Sequence, residues 1–377
     1  MATIVGIGMT DLMRASGRTE LDLALEAVRA ALADAGLEPA AVDGLLSYHL
    51  NDSAQVQFVA EGLGLTRLAW HNEIYGGGSQ SASILGDAAH IVDDGLAETV
   101  VVYRALNGRS GHRLGQTSLR VGENAEAQFT LPYGMRGPVH LFALVAQRYL
   151  HETGATAEDL AGVVIQSRAN AARNPRASMG KPMTLDDYLA SPMVATPLRR
   201  ADCCQENDGA AAVVVTTDAR AERLGAAPVR IRAAVRAGGP GSSNLARAED
   251  GTRMFSHYVA PDIYRRAGIG PSDVDVALLY DAYSFLVLSQ LEDFGLCERG
   301  TAGALVRAGG TAPAGDVPVN PHGGLLSEGS LHGFNNVLEA VRQLRGDAGV
   351  NQVPNAEVAL CAGFGGSYGG AAVLTRG

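Results

Sequence analysis

The chain has few aromatic residues, few cysteines and no long apolar run. Aromatic residues make up 5% of its 377 positions. No apolar stretch approaches the roughly 20 residues that span a membrane. Basic residues are in deficit, since 30 Lys and Arg stand against 40 Asp and Glu, a net charge of −10. These shortages argue against a membrane-spanning protein and against nucleic acid as a general partner, because phosphate binding needs clustered Lys and Arg.

The composition is otherwise that of an ordinary globular protein, with 46% hydrophobic and 19% charged residues. Its length is enough for two or three domains. Residues 3–8 are strand-like and lack the charged and apolar regions of a signal peptide. We therefore expect a cytoplasmic protein with reduced thiols. Its four cysteines lack the spacing of metal ligands and are Cys203, Cys204, Cys297 and Cys361.

One segment occurs twice. Residues 35–48 and 267–280 share Ala, Gly, Pro, Val, Asp, Leu and Tyr at the same places, with a constant offset of 232 (267 minus 35). The shared Tyr is Tyr48 in the first copy and Tyr280 in the second. A repeated helix–turn–strand unit predicts two copies of one fold. Active sites of duplicated folds tend to lie between the copies, so we expect the site there.

Each half alternates short apolar segments with segments of helical periodicity, which predicts a mixed sheet covered by helices. Residues 107–207 interrupt this alternation and include a predicted helix at 139–152. The predicted domains are an N-terminal half over 1–217, with 107–207 as an inserted loop subdomain, and a C-terminal half over 228–377. The predicted strands are 3–9, 42–48, 68–74, 99–106 and 210–217, then 229–235, 274–280, 317–321, 357–361 and 370–375.

Several separate motifs resemble the thiolase superfamily, most closely its sterol-carrier-protein branch. They are Asp-Gly-Ala-Ala-Ala at 208–212, the glycine-rich turn at 320–329 and the closing segment at 361–366. Their order along the chain is also that of the family. The resemblance implies an α/β thiolase fold: two repeated, helix-covered mixed halves of five strands each, with an inserted loop subdomain.

The chain departs from this family where thiolases hold their nucleophile. The cysteine position at the turn 72–79 is Tyr75 or Gly76, depending on the alignment, and neither supplies a thiol. The glycine-His-Pro motif that activates the cysteine is replaced at 329–333 by Gly-Ser-Leu-His-Gly. A thiolase needs the thiolate to store the acyl group. Aldol cleavage needs only a base, an acid and donors for the enolate oxygen.

The actinobacterial steroid side-chain-cleaving aldolases have lost the same cysteine, and the chain is similar to them at Tyr280 and Tyr368. The resemblance implies a retro-aldolase that cleaves the Cα–Cβ bond of a β-hydroxyacyl-CoA with a bulky, steroid-derived acyl chain. We expect the two tyrosines to be the acid/base pair, with His322 and His332 supplying a cation or hydrogen-bond donors. Cys361 matches the second thiolase cysteine, which handles the α-proton.

The predicted substrate-binding residues surround these groups. The turn around Gly76 and Gly77 is expected to give backbone donors to the thioester oxygen, and Asp281 to orient its neighbours. His140 opens the helix of the inserted region and is placed toward the CoA or the acyl tail. The full predicted set for binding is Tyr75, Gly76, Gly77, His140, Asp281 and Ser330.

Plain structural roles remain open for most of these residues. Tyr280 ends a buried strand, as its repeat partner Tyr48 does, so it is also a candidate structural tyrosine. His322 could bond backbone carbonyl groups, while His332 and Ser330 could cap a helix. His140 could be a surface residue at a helix start. Which tyrosine is the acid is left open.

Two other functions remain open as well. One is a Claisen-type thiolase or C-acyltransferase with a rearranged nucleophile such as Cys361. The other is a non-catalytic thiolase-like scaffold. No cofactor is expected beyond the coenzyme A that the substrate carries, and no metal. The resemblance implies a homodimer, in a complex with two copies of a small acyl-CoA-binding subunit that pairs an OB-fold with a zinc ribbon.

Overall fold

A computed structural model describes residues 1–111, 113, 127–225, 227–239, 250–364, 366 and 368–377. The strands are β1 (Ala2–Met9), β2 (Gly44–His49), β3 (Trp70–Tyr75), β4 (Val100–Asn107), β5 (Met193–Ala195), β6 (Leu198–Arg199), β7 (Asp208–Thr217), β8 (Val229–Gly238), β9 (Val276–Leu278), β10 (Val358–Phe364) and β11 (Tyr368–Arg376). The helices are α1 (Glu20–Asp34), α2 (Val56–Leu63), α3 (Ile84–Asp93), α4 (Ala127–Thr130), α5 (Pro138–Thr153), α6 (Ala157–Ala171), α7 (Leu185–Leu189), α8 (Asp218–Leu224), α9 (Phe255–Ala267), α10 (Ser284–Asp293), α11 (Ala302–Arg307), α12 (Gly324–Ser327) and α13 (Phe334–Arg345).

Nine of these strands form one mixed sheet in the order β3-β2-β4-β7-β1-β8-β11-β10-β9. The repeat is visible in this order. In the first half β2 is parallel to β4, and β7 runs antiparallel between β4 and β1. In the second half β9 is parallel to β10, and β11 runs antiparallel between β10 and β8. The halves join where β1 pairs with β8 through only two residue pairs, Thr3 with Arg230 and Ile4 with Val229.

The predicted strand at 317–321 is wrong. Only an isolated parallel bridge forms there, between Val319 and Ala277. The segment contains Pro318 and Pro321, which have no N–H to donate to a ladder. The amide of Ala277 donates to the carbonyl of Pro318 at 2.9 Å, and Asn320 donates back to Ala277 at 3.1 Å. The second half therefore contributes four strands to the sheet rather than five.

Close helix-on-sheet packing explains the small residues of the first strand. Helix α1 begins at a capping box formed by Thr19 and Asp22. It lies so near β1 that a Cβ at Gly6 would be 2.1 Å from the carbonyl oxygen of Ala31. A Cβ at Gly8 would be 2.2 Å from another α1 carbonyl oxygen. The absence of side chains at these two glycines lets α1 pack directly against β1.

The described part of the inserted region folds over the second half. Helix α6 packs against α10, α11 and α12. The chain then forms isolated bridges from Cys203 to Tyr283 and from Glu206 to Ser330 before it enters β7. The segment 203–207 is thereby placed beside the ends of the second-half strands. None of the helices described is long and apolar enough to cross a membrane.

Candidate active site

A cavity of about 480 Å³ lies where the two halves and the inserted region meet. This volume is within the usual range of roughly 300–1,000 Å³ for small-molecule sites. The expectation that the site lies between the two copies of the fold agrees with this position. The lining includes Asp52 and Leu106 from the first half, Val139, Phe142 and residues 203–207 from the inserted region, and Tyr280, Tyr283, Ser330, His332 and Phe364 from the second half.

Tyr280 presents its phenol to this cavity. The ring stacks on Phe364 with centroids 5.8 Å apart. Its backbone is held by Gln290, whose side chain accepts from the Tyr280 amide at 3.1 Å and donates to its carbonyl at 2.8 Å. The hydroxyl makes no hydrogen bond to any residue the structure describes. Burial first, and then the neighbouring Cys204, raise the pKa of Tyr280 well above its ordinary value of about 10. The phenol is therefore protonated and available as a proton donor.

The glycine turn after β3 lies directly against this phenol. A Cβ at Gly78 would be 2.2 Å from the Tyr280 hydroxyl oxygen, so only glycine fits there. A Cβ at Gly77 would be 3.7 Å from Nδ1 of His332. The turn where thiolases hold their nucleophile thus faces a tyrosine and a histidine from the other half. Tyr75, at the end of β3, is 69% exposed and is not among the lining residues.

His332 is held by a buried ion pair from the first half. Nη2 of Arg104 lies 3.0 Å from Nδ1 of His332 and 2.7 Å from Oδ1 of Asp52. Arg104 is fully buried in β4. Burial, and then the charge of Arg104, lower the pKa of His332 to about 3. The imidazole is neutral, so among the histidine roles we predicted it fits a hydrogen-bond donor and not a cation.

Tyr48, the repeat partner of Tyr280, holds the backbone of His332 from the buried side. Its hydroxyl donates to the carbonyl oxygen of His332 at 3.2 Å. The guanidinium of Arg104 lies 5.2 Å from the centre of the Tyr48 ring. His332 itself has a left-handed backbone with φ of 51°, which is uncommon for a residue other than glycine. The two repeat tyrosines therefore flank one turn, with Tyr48 buried beneath it and Tyr280 facing the cavity.

The helix-cap interpretation of this turn is wrong. Helix α13 has Gly333 as its N-cap, and neither His332 nor Ser330 caps it through its side chain. The hydroxyl of Ser330 accepts from the amide of His332 at 3.3 Å, and its own amide donates to Oδ1 of Asn207 at 3.2 Å. Ser330 lines the cavity and shapes the turn that carries His332.

Two cysteines reach the cavity, at positions that our sequence-based site did not include. Burial first, and then Asp202, raise the pKa of Cys203 to about 12. Burial also raises the pKa of Cys204. Both are therefore thiols, not the thiolates that nucleophilic catalysis requires. Cys361 lies in the core within β10, is 1% exposed and is not among the lining residues, and burial raises its pKa too.

His322 and Asp281 form a layer behind the cavity. Nε2 of His322 donates to Oδ1 of Asn336 at 3.1 Å and lies 3.6 Å from Glu328. Asp281 accepts from the first free amides of α12, at Leu325 (2.9 Å) and Leu326 (3.2 Å), an arrangement that fits the predicted orienting role. Burial raises the pKa of Asp281 to about 6. Neither residue is among those that line the cavity.

Tyr368 and His140 lie apart from the cavity lining that the structure describes. Tyr368 begins β11 and is 45% exposed, and the next residue, Gly369, pairs with cavity-lining Phe364. His140 stays at the start of α5, where its Nδ1 is 3.3 Å from the amide of Gly137. The cavity is lined instead by its helix neighbours Pro138, Val139 and Phe142.

Arg104 and Asp52 hold a cavity-lining histidine, and sequence reasoning missed both of them. The available signal was a lone arginine in the otherwise apolar segment 100–106. A charged residue is rarely fully buried unless it is paired. Its partner His332 is 228 positions away. No group of His, Cys, Asp or Glu that could hold a metal ion occurs in the described ranges.

The fold and the cavity define a thiolase-like enzyme. A family model described as thiolase C-terminal domain-like matches residues 239–375. The 17-hydroxy-3-oxo-4-pregnene-20-carboxyl-CoA lyase of Mycobacterium tuberculosis is 42% identical over 97% of this chain and 96% of its own length. A steroid side-chain-cleaving aldolase of Thermomonospora curvata is 40% identical over 93% of this chain and 92% of its own length.

A solved chain of the Ltp2-ChsH2(DUF35) aldolase has the same fold. It is 38% identical, with a TM-score of 0.94 over 100% of this chain and 97% of that one. The chain belongs to the family of steroid side-chain-cleaving aldolases within the thiolase superfamily. The family and the thiolase fold that we predicted from the motifs are confirmed.

Proposed function

We propose that the chain cleaves the Cα–Cβ bond of a β-hydroxyacyl-CoA with a steroid-derived acyl chain, giving a ketone or aldehyde and a shorter acyl-CoA. The observation that carries this proposal is the contact between the Tyr280 phenol and Gly78. The turn where thiolases hold a nucleophile has no room for a Cβ at Gly78, where the Tyr280 phenol lies opposite as a proton donor. Relatives at 42% and 40% identity are named as a lyase and an aldolase.

The proposed steps follow from the groups around the cavity. A base removes the proton of the β-hydroxyl, the Cα–Cβ bond breaks, and its electron pair forms the enolate of the shorter thioester. The neutral imidazole of His332 donates to the enolate oxygen. The predicted backbone donor at Gly76 is not available for this role, because its amide donates to the carbonyl of His49 at 2.9 Å, and neither Gly76 nor Gly77 is among the lining residues. The protonated phenol of Tyr280 then transfers its proton to the α-carbon. We assign the base role to the phenolate form of Tyr368, which is not among the lining residues but directly precedes Gly369, the ladder partner of cavity-lining Phe364.

Charge around the cavity suits an acyl-CoA. Three arginines line it without an acidic partner among the described residues: Arg14, Arg109 and Arg200. Arg113 also lines it and pairs with Glu206 at 2.7 Å. A group of guanidinium ions is unexpected in a chain with a net charge of −10. Phosphate groups are their natural partners, and the CoA portion of the substrate carries three.

A product analysis tests this function. The purified enzyme is incubated with a steroid β-hydroxyacyl-CoA, and the products are identified by mass spectrometry. We expect the ketone or aldehyde and the shorter acyl-CoA in equal amounts, with no free CoA and no acylated protein. Release of free CoA that depends on an added acyl acceptor would instead identify a Claisen-type enzyme. Absence of turnover, even with a small partner subunit present, would support a scaffold.

We also propose that the enzyme works as a homodimer with a small acyl-CoA-binding subunit. The related solved aldolase is named as an assembly of Ltp2 with ChsH2(DUF35). In this chain β3 is an edge strand whose Trp70 and Tyr75 are 40% and 69% exposed. An exposed edge of this kind suits pairing with a second copy. The four free cysteines of the chain also support the proposal of a cytoplasmic location.

A further inference from the structure

Arginine can donate hydrogen bonds but cannot accept them. Nη2 of Arg104 lies 3.0 Å from Nδ1 of His332, so Nδ1 has to be the acceptor. A neutral imidazole whose Nδ1 accepts carries its only proton on Nε2. The contact with Arg104 therefore selects one of the two tautomers of His332.

Arg104 has no freedom to turn away from this contact. Its Nη2 also donates to Oδ1 of Asp52 at 2.7 Å, and its Nη1 donates to the carbonyl of Ala105 at 3.0 Å. The side chain is fully buried, and its guanidinium lies over the Tyr48 ring. Asp52 is in turn held by the amide of Leu50 at 2.8 Å. Although burial favours the neutral carboxyl, Arg104 and the other contacts hold the pKa of Asp52 below its usual value.

The other ring nitrogen of His332, Nε2, is the one left for the substrate. His332 lines the cavity, and its Nε2 has no hydrogen-bond partner among the residues that the structure describes. Tyr280 packs against the turn that carries His332: a Cβ at Gly333 would lie 2.8 Å from the Tyr280 ring. A fixed Nε2–H is thus left available to a substrate bound in the cavity.

We propose that Arg104 and Asp52 are positioning residues that hold His332 as the Nε2–H tautomer, so that it serves as a hydrogen-bond donor to the thioester and enolate oxygen and not as a proton acceptor. This inference rests on the proposed function and deepens it. Lysine at position 104 could still donate to Nδ1, whereas methionine could not. His332→Gln retains an N–H donor, whereas His332→Phe does not.

The direct test is nuclear magnetic resonance of the whole enzyme with ¹⁵N-labelled histidine, with His332→Gln used to assign the signal. We expect the His332 signals of a neutral ring with its proton on Nε2, unchanged between pH 5 and 8. The Arg104→Met/Asp52→Asn variant removes the pair without leaving a lone buried carboxylate. In it, nothing donates to Nδ1, so His332 should exchange between its two neutral tautomers. Its pKa should rise above the wild-type value but stay below the ordinary value of about 6.5, because burial is the larger cause of the lowering.

Kinetics give a second readout. His332→Phe should lower kcat by about 10²–10³-fold, the usual loss for one oxyanion donor, with His332→Gln recovering part of it. The Arg104→Met/Asp52→Asn variant should lower kcat at least about tenfold with little change in KM, and add an acid limb to the pH profile. Arg104→Lys should restore much of kcat. Arg230→Met, which removes an arginine paired with Asp218 away from the cavity, is the matched control.

The groups near His332 that could also shape the pH profile are Tyr280, Tyr48 and the Glu206–Arg113 pair. Their contribution is measured in His332→Gln, which lacks the imidazole. A wild-type His332 that titrates near pH 6.5, or that carries its proton on Nδ1, would overturn the inference. The labelling experiment needs no turnover, so it separates failure of this inference from failure of the proposed aldolase activity. If the double variant does not fold, the wild-type spectrum alone decides.

Discussion

Nη2 of Arg104 lies 3.0 Å from Nδ1 of His332, although the two residues are 228 positions apart and belong to different repeats. The first repeat supplies the buried charge, and the second supplies the ring that reaches the cavity. The active site is therefore built across the duplication. Each of the following predictions addresses one part of that construction.

Tyr280→Phe removes the proposed proton donor and leaves the stacked ring. We expect kcat to fall by about 10²–10⁴-fold, the usual contribution of general acid–base catalysis, with little loss of stability. Steady-state kinetics and thermal unfolding measure the two effects. The matched control is Tyr264→Phe, which removes another buried phenol whose hydroxyl donates to the carbonyl of Phe294 at 2.8 Å. Equal activity in the two variants would contradict the assignment of Tyr280 as the proton donor.

Gly78→Ala should inactivate the enzyme through Tyr280. The new Cβ would lie 2.2 Å from the phenolic oxygen and 2.3 Å from two ring carbons, so the ring has to move. We expect a loss of kcat of at least about tenfold and a lower midpoint of thermal unfolding. Gly251→Ala is the control, since its Cβ would meet nothing within 4 Å. Adding Tyr280→Ala should recover stability but not activity.

Three arginine variants probe binding of the CoA phosphates: Arg14→Gln, Arg109→Gln and Arg200→Gln. Each should raise KM by roughly three- to tenfold, and the effect should shrink at high salt because the interaction is electrostatic. kcat should change little. Arg265→Gln removes an exposed arginine that pairs with Asp262 and serves as the control. A loss confined to kcat would contradict a role in binding the CoA portion.

Asp281 should make the enzyme less stable as pH rises from about 4 to 6. Its pKa is about 6 in the folded chain and about 3.9 when unfolded. Between these values the folded state holds a proton that the unfolded state has lost, so stability falls as pH rises. The contribution is roughly 2–3 kcal/mol. Asp281→Asn cannot titrate and should lack this pH-dependent contribution. Urea unfolding of both proteins from pH 4 to 7 should therefore show the free energy of unfolding of the wild type falling relative to that of the variant as pH rises.

Thiol chemistry should not be part of the reaction. Burial raises the pKa of Cys203 to about 12, so iodoacetamide should react slowly near pH 7. We expect Cys203→Ala to retain activity, as measured by release of the shorter acyl-CoA. A thioester trapped on Cys203, Cys204 or Cys361 would count decisively against aldol cleavage.

The sequence was sufficient for the architecture and for three of the residues that line the cavity. The repeated segment placed the site between the copies, and the motifs led to Tyr280, His332 and Ser330. Patterns within one segment could not reveal Arg104, because its importance depends on a contact with the other repeat. They also misplaced the strand at 317–321, where Pro318 and Pro321 remove the donors of a ladder. Tyr368 remains a prediction, since the structure places it at a half-exposed strand end.

The short seam between β1 and β8 has a consequence for misfolded molecules. Two residue pairs hold the strands together there, so alignment of the halves depends on contacts such as Arg345 with Asp34 at 2.7 Å and with the carbonyl of Val5 at 2.9 Å. A molecule whose halves have slipped would separate Arg104 from His332 while keeping nearly all of its helices and strands. Its imidazole could then take up a proton or change tautomer. Such a molecule would be inactive and would not catalyse a different reaction, because His332 becomes a fixed donor only when the two halves dock correctly.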